Sequence, residues 1–370
     1  MENRQSLTLF LCGDVMTGRG IDQVLPHPSA PELYETVVRS ALEYVELAEQ
    51  ANGPTPRPVD YAYVWGAALD VLDAVRPDAR IVNLETSITA DGVPERKDVH
   101  YRMHPANVSV LTAAGIDVCV LANNHVLDWG EAGLLDTLAA LERAGIRVAG
   151  AGRDRRAARA PAVIRTATDR RVLVFGLGTP DSGIPGDWAA GPGRAGVLLL
   201  PDFSDRSVRG VARMVAGVKE PGDVAIASIH WGANWGYAVP REHRDFARAL
   251  LDRAGIDIVH GHSSHHPKAI EVYRGRPIFY GCGDFLNDYE GIGGYEEFRG
   301  DLVLMYFVTI DRTTGRLRRL RMTPLRIRNF RLEPASPSER AWLQRTLDRE
   351  CRRFRHRVVE RDGALALESL

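Results

Sequence analysis

Lysine is nearly absent from this 370-residue chain: Lys97, Lys219 and Lys268 are the only three, so arginine carries almost all of its 47 basic charges. Arginine's planar fork suits carboxylate and phosphate capture. An excess of charge of one sign is lacking too. The 48 acidic residues leave a net charge of −1, which excludes an overall basic field for nucleic acid. Cysteine is scarce: Cys12, Cys119, Cys282 and Cys351 are scattered without a CxxC pair. That spacing excludes a disulfide frame or a cysteine zinc cluster and points to buried thiols. No apolar run approaches the roughly 20 residues of a membrane span, and the polar lead before Leu7 has no signal-peptide pattern. The expectation is a soluble, cytoplasmic protein with neither a membrane nor a nucleic-acid partner. What the chain does have is an ordinary globular balance, 45% hydrophobic and 26% charged, long enough to bury a large core unaided.

Short apolar runs alternate with helical patterns. Strands are expected at 7–12, 79–84, 117–121, 161–166, 171–177, 223–229, 257–260 and 277–281. Ser29-Ala30-Pro31-Glu32 reads as a capping box opening a helix to about residue 50. Further helices are expected over 61–75, over 131–144 before Gly145, and over 241–254 before Gly255. Repeated strand–helix units imply an α/β fold, a largely parallel sheet covered on both faces. Beyond residue 300, 301–310 and 317–324 flank a polar turn and read as an antiparallel hairpin. Ser336-Pro337-Ser338-Glu339 then caps a terminal arginine-rich helix. The expected organisation is one catalytic domain over 1–330, with the helix and tail of 331–370 packed on it. Residues 178–200 are Gly/Pro-rich and read as a long loop.

The chemically capable side chains follow strands, at the carboxyl edge where open α/β sheets bind ligands. Asp14 follows Cys12-Gly13, and a carboxylate among glycines suits close backbone approach. Glu85 ends a buried strand, where an unpaired charge is costly. Asn123-Asn124-His125 ends another, and Asp128 is spaced to orient His125 if that turn is helical. His230 closes the strand 223–229 beside Trp231, Trp235 and Tyr237. Val259-His260-Gly261-His262-Ser263-Ser264-His265-His266 places four histidines in seven residues. Asp284 and Asp288 follow Cys282-Gly283. Together Asp14, Glu85, Asn124, His125, His230, His262, His265 and Asp284 form a mixed oxygen and nitrogen set of the kind that binds a divalent cation.

The ordered motifs GDVMTGR, NLETSIT, NNHVLDWG, HWG, HGHSSHHP and YGCGDF, over about 12–290, resemble the CapA-like family of the calcineurin-like metallophosphatase superfamily. The resemblance implies a four-layer α/β/β/α sandwich with a metal site at the carboxyl edge of the sheets. It places Asp14, Glu85, Asn124, His230 and His262 in metal-ligand slots and His125 in the catalytic slot. Met16 stands where such phosphatases carry a histidine, and Glu85 where they carry a bridging aspartate. This oxygen-rich set favours one hard cation, Ca²⁺, Mn²⁺ or Mg²⁺, over a softer pair. Within the family the chain resembles the lasso-peptide epimerases. That implies a metal-dependent isomerase inverting Cα of a residue of a ribosomal precursor peptide. The expected acid–base residues are His125 and, from the 260–266 cluster, His265, each held by a carboxylate from among Asp14, Asp128, Asp284 and Asp288, of which Asp128 and Asp284 are expected to be catalytic. Trp231, Trp235 and Arg102 are expected to contact the peptide substrate, with Arg19 a further candidate for its carboxylate. The alternatives are a metal-dependent hydrolase of phosphoesters or amides and a capsule-related protein. Oligomeric state is left open.

Overall fold

Alternation along the first strand sets the layering. The structure, a computed structural model, describes residues 6–167 and 170–370, so the lead before Ser6 lies outside it. In β1 (Ser6–Val15) Leu7, Leu9 and Leu11 point to one side and Phe10 and Cys12 to the other, all of them buried. A strand buried on both faces needs cover on both. Leu7, Leu9 and Leu11 join Ile81 and Val118 of their own sheet and Val172, Val174, Ile226 and Ile258 of a second sheet. Phe10 and Cys12 instead meet helix residues Val45, Leu72, Leu134 and Leu141. The outer face of the second sheet, with Leu173, Phe175, Ala225 and Ala227, packs on Val211, Val215, Phe246 and Leu250. Helix, sheet, sheet, helix is the α/β/β/α sandwich expected from the sequence.

The further strands are β2 (Ala79–Leu84), β3 (Val118–Val120), β4 (Arg147–Ala149), β5 (Ala162–Arg165), β6 (Arg171–Gly178), β7 (Val224–His230), β8 (Ile258–His262), β9 (Ile270–Tyr273), β10 (Arg276–Phe279), β11 (Asp284–Leu286), β12 (Leu302–Asp311), β13 (Leu317–Arg328), β14 (Arg331–Pro334), β15 (His356–Arg361) and β16 (Ala364–Ser369). The main helices are α1 (Ala41–Asn52), α2 (Ala67–Val75), α3 (Gly130–Arg143), α4 (Asp205–Ala216), α5 (Arg241–Arg253) and α6 (Pro337–Cys351). The first sheet runs β15-β16-β13-β12-β1-β2-β3-β4, with β11 alongside the end of β1 and β14 on β13; the second runs β9-β10-β8-β7-β6-β5. β1 to β4 are mutually parallel, and β6, β7, β8 and β10 likewise, so both sheets send carboxyl ends to one edge. Among the described residues no helix is long and apolar enough to cross a membrane.

Three expectations change. α1 begins at Ala41, capped by Ser40 with Glu43 completing the box; the Ser29 box opens nothing, because Pro26, Pro28 and Pro31 hold the chain extended there. Residues 178–200 contain two short turns of 3₁₀ helix and a two-residue strand, Gly196–Val197, paired with Ala151–Gly152. The tail after α6 is a hairpin, β15 and β16, joined to the first sheet through β13.

Leu343, Leu347 and Cys351 of α6 lie in the cluster between the sheets. Leu347→Ala is therefore expected to destabilise the whole protein by about 2–5 kcal/mol, measured as a lower denaturant midpoint with unchanged slope. A loss confined to a separate C-terminal transition would show that α6 is an independent unit.

Candidate metal and acid–base site

Two Cys-Gly-Asp tripeptides, Cys12-Gly13-Asp14 and Cys282-Gly283-Asp284, run side by side. Asp14 and Asp284 are register partners between β1 and β11, and the Asp14 N–H donates to the Gly283 carbonyl at 3.0 Å. A Cβ on Gly13 would fall 1.5 Å from that carbonyl oxygen, so only glycine permits the approach. The close backbone approach expected at Asp14 is thus made by another strand. Glu85, just past β2, completes a buried trio of carboxylates. Asn83 Nδ2 donates to Asp14 Oδ1 at 2.7 Å, and the Ser263 N–H, aimed by a φ of 96°, donates to Asp14 Oδ2 at 3.1 Å. Burial, then the neighbouring Asp284, push Asp14 up to about 7. Burial, then Asp14, push Glu85 well above the carboxylate range. Such a trio binds protons or a cation.

A hydrogen-bonded chain behind the trio sets the histidine protons. The Cys12 carbonyl can only accept, so His260 Nε2, 2.7 Å away, carries a proton. Burial holds His260 at about 4 and His230 and His262 well below their ordinary value, so all three are neutral. Ser228 Oγ then donates to His260 Nδ1 at 2.9 Å and accepts from His262 Nε2 at 3.0 Å. That leaves His262 Nδ1 bare; it accepts from His230 Nδ1 at 2.9 Å, which leaves His230 Nε2 bare. His230 Nε2 lies 2.8 Å from Asn124 Oδ1 and 3.9 Å from Glu85 Oε1, and His262 Nδ1 lies 3.9 Å from Asp14 Oδ1. The chain read from Cys12 thus sets two acceptors, His230 Nε2 and Asn124 Oδ1, against each other beside the carboxylates, a contact that a cation relieves, and ligating atoms of Asp14, His230 and His262 lie within 4.8 Å of one another. This donor set fits a hard or borderline divalent cation.

Two histidine–carboxylate pairs flank the trio. His125 Nδ1 donates to Asp128 Oδ2 at 2.7 Å, as the i,i+3 spacing suggests, and its Nε2 lies 3.7 Å from Glu85 Oε1. Burial lowers His125 to about 4, against the opposing pull of Asp128. His265 Nδ1 is 2.9 Å from Asp284 Oδ1; burial would lower it, but Asp284 and, behind it, Asp14 together outweigh burial and raise it. Tyr101 packs edge-on against His125 at 4.5 Å between centroids, Tyr289 edge-on against His265 at 5.3 Å, and the two hydroxyls hydrogen-bond at 2.6 Å. A cavity of about 610 Å³ opens on His265, lined among others by Tyr101, Tyr289, Trp235, Tyr295, Arg19 and Arg299.

Several expected roles are corrected. Trp231 is core: it stacks on His243 at 4.8 Å, and its Nε1 donates to the Tyr280 carbonyl. Arg102 lies over Trp129 at 3.9 Å and does not line the cavity. Trp235 does line it, with one face against Tyr295. Asp288 orients no histidine; it holds Arg19, which also reaches Glu35 and Tyr44 and so has no fork left for a substrate. His266 accepts from the Gly236 N–H and stacks near Phe298.

Sequence reading missed Ser228, Asn83, Tyr101, Tyr289 and Lys97. Lys97 Nζ reaches Asp128 Oδ1 at 2.7 Å and the Asn124 carbonyl at 2.5 Å; its rarity was the available signal. For Ser228 the signal was one hydroxyl inside the apolar strand Val224–Ile229. Ser228→Ala should release the His262 tautomer and weaken divalent-ion affinity about 10–100-fold with the fold kept. Calorimetric titration checks this, and an unchanged affinity would break the proton assignment.

A family model described as "Bacterial capsule synthesis protein PGA_cap" matches residues 8–289. A "Probable polyglutamine synthesis accessory protein" of Mycobacterium tuberculosis (strain H37Rv) is 52% identical over 365 residues, covering 98% of this chain and 96% of that protein. The "PGA biosynthesis protein CapA" of Bacillus subtilis (strain 168) is 27% identical over 346 residues, covering 93% of this chain and 77% of that one. A solved phosphatase from Mycoplasma pneumoniae covers 90% of this chain and 96% of its own at 12% identity and a TM-score of 0.47, a likeness too loose to inform activity. With a family match spanning most of its length and a relative identical at half of its positions, the chain belongs to the PGA_cap family of bacterial capsule synthesis proteins.

Proposed function

We propose that the chain is a metal-dependent enzyme of capsule-type polymer metabolism, acting by acid–base chemistry on a chain of linked glutamine or glutamate residues. The names of its relatives motivate the polymer class, in place of the ribosomal precursor peptide expected from the motifs. The chemistry rests on one observation: the pairs His125–Asp128 and His265–Asp284, from separate segments, meet around the buried Asp14 and Glu85. His125, kept neutral with its Nε2 bare, takes a proton. His265, kept protonated longer by Asp284, gives one. Environments that push two like groups apart divide the acid and base roles between them. Asp14, Glu85, Asn124, His230 and His262 would hold the cation, which supplies charge neutralisation for an oxyanion developing at the polymer carbonyl. The aromatic cavity beside His265 would seat the segment of chain that reacts.

Two reactions suit this machinery. Amide hydrolysis needs a base to take a proton from water and an acid to give one to the leaving amine. Inversion at Cα needs the same groups on opposite faces of one carbon, and the origin of the two histidines on distant segments favours keeping it as a second reading.

Incubating a defined oligoglutamate with the purified protein and Mn²⁺, Mg²⁺ or Ca²⁺ in deuterated water separates them. Hydrolysis shortens the chain without deuterium at Cα; inversion keeps its length and introduces deuterium. His125→Ala and His265→Ala are each expected to lower the rate at least about 100-fold. An oligomer left unchanged with every cation, while a simple phosphoester is turned over, would contradict the proposal.

A further inference from the structure

Several arginines on this surface are paired: Arg340 with Glu360, Arg357 and Arg361 with Glu368, Arg318 with Asp311, Arg253 with Asp205. Five that are not lie together. The short helix Arg155–Arg159 and α4 flank two adjoining grooves that share Arg159 and Met214. Arg155, Arg156, Arg159, Arg206 and Arg213 line them, are exposed, and form no ion pair among the described residues. The nearby carboxylates are engaged. Asp154 accepts from the Ala157 N–H, Asp202 accepts from Ser204 and Ser207, and Asp205 is taken by Arg253. Asp202 remains within electrostatic reach of Arg206.

The groove floor is apolar and aliphatic: Leu198, Leu200, Val211 and Met214 among its residues, with Pro161 and Pro192 at one end. No aromatic ring lines it, so it offers no stacking platform for nucleic-acid bases. Guanidinium forks over a methylene-compatible floor match a flexible chain bearing carboxylates on short aliphatic arms. The groove is also connected to the site. The Leu200 N–H donates to the Gly178 carbonyl, and Gly178 is the register partner of His230.

We propose that these arginines form a second binding track, outside the acid–base site, for an anionic polycarboxylate chain. The track rests on the reading of the polymer as a glutamate chain and adds a place that holds it away from the reacting carbonyl. The test is fluorescence anisotropy with labelled oligoglutamate across a salt series, beside length-matched oligothymidylate. Arg159→Glu/Arg213→Glu should weaken oligoglutamate binding at least tenfold and flatten its salt dependence. The control Arg241→Glu/Arg328→Glu, with the same change of net charge elsewhere, should stay within about twofold of wild type. Unchanged melting and divalent-ion stoichiometry show that the variant is folded. A double variant that binds like wild type, a control that loses as much, or oligothymidylate bound as tightly as oligoglutamate would overturn the track. If wild type turns the polymer over while the double variant binds it normally, the track fails and the proposed function stands. If the polymer is held through these arginines yet never altered, the catalytic reading fails and the track stands.

Discussion

Asp14, Glu85 and Asp284 are three buried carboxylates drawn from three strand ends, and their mutual repulsion is the constraint that organises this molecule. Placing like charges together out of water is costly unless something positive or protic joins them. Local amide donors offset part of that cost: Asn83 Nδ2 and the Ser263 N–H on Asp14, and Asn287 Nδ2 on Asp284. They do not neutralise it, and Asp14 and Glu85 remain raised. A divalent cation resolves the conflict, and the surrounding architecture reads as provision for one.

That provision extends well behind the ligands. The chain from the Cys12 carbonyl through His260, Ser228 and His262 to His230 begins on the strand that carries Asp14 and returns beside Asn124 and Glu85. One fixed acceptor in the backbone therefore decides which nitrogens are bare four groups away. Because Ser228, His230, His260 and His262 sit on adjacent strands in register, Ser228 opposite His260 and His230 opposite His262, the relay is as rigid as the sheet. Such outer partners commonly govern affinity nearly as much as the ligands do. On the other side, the Tyr101–Tyr289 hydroxyl pair ties the two flanking histidines to one wall, with Arg19 lying over Tyr101 at 4.5 Å.

Much of this was legible in the sequence where a signal is local. Strand β2 falls on its expected bounds because an apolar run between a proline turn and a glutamate has one good reading. Asp128 oriented His125 as its spacing suggested. Asp284 proved to be the partner of His265, one of several carboxylates the sequence left open. Reading failed where tertiary pairing decides. The Ser29 and Ser40 boxes look alike in sequence, and only the proline-rich approach and packing choose Ser40. β15 carries two arginines and a glutamate, and β16 is built mostly of alanine and leucine without β-branched residues, so neither reads as a strand without the sheet edge that receives it. Trp231 beside His230 suggests a substrate wall; its place just past the end of β7 turns it to the outer cluster of the second sheet, onto His243. Ser228 is invisible until the strand is paired.

The central claim is that the carboxylate trio and the histidine relay together form a site for a hard divalent cation. Calorimetric titration of metal-free protein with Mn²⁺, repeated in buffers of different ionisation enthalpy near neutral pH, tests it most directly. The account predicts one tightly bound ion per chain, proton release on binding because the trio holds protons in the metal-free state, and loss of tight binding in Glu85→Gln. Absence of saturable binding, or a Glu85→Gln variant that binds the ion as wild type does, would contradict it.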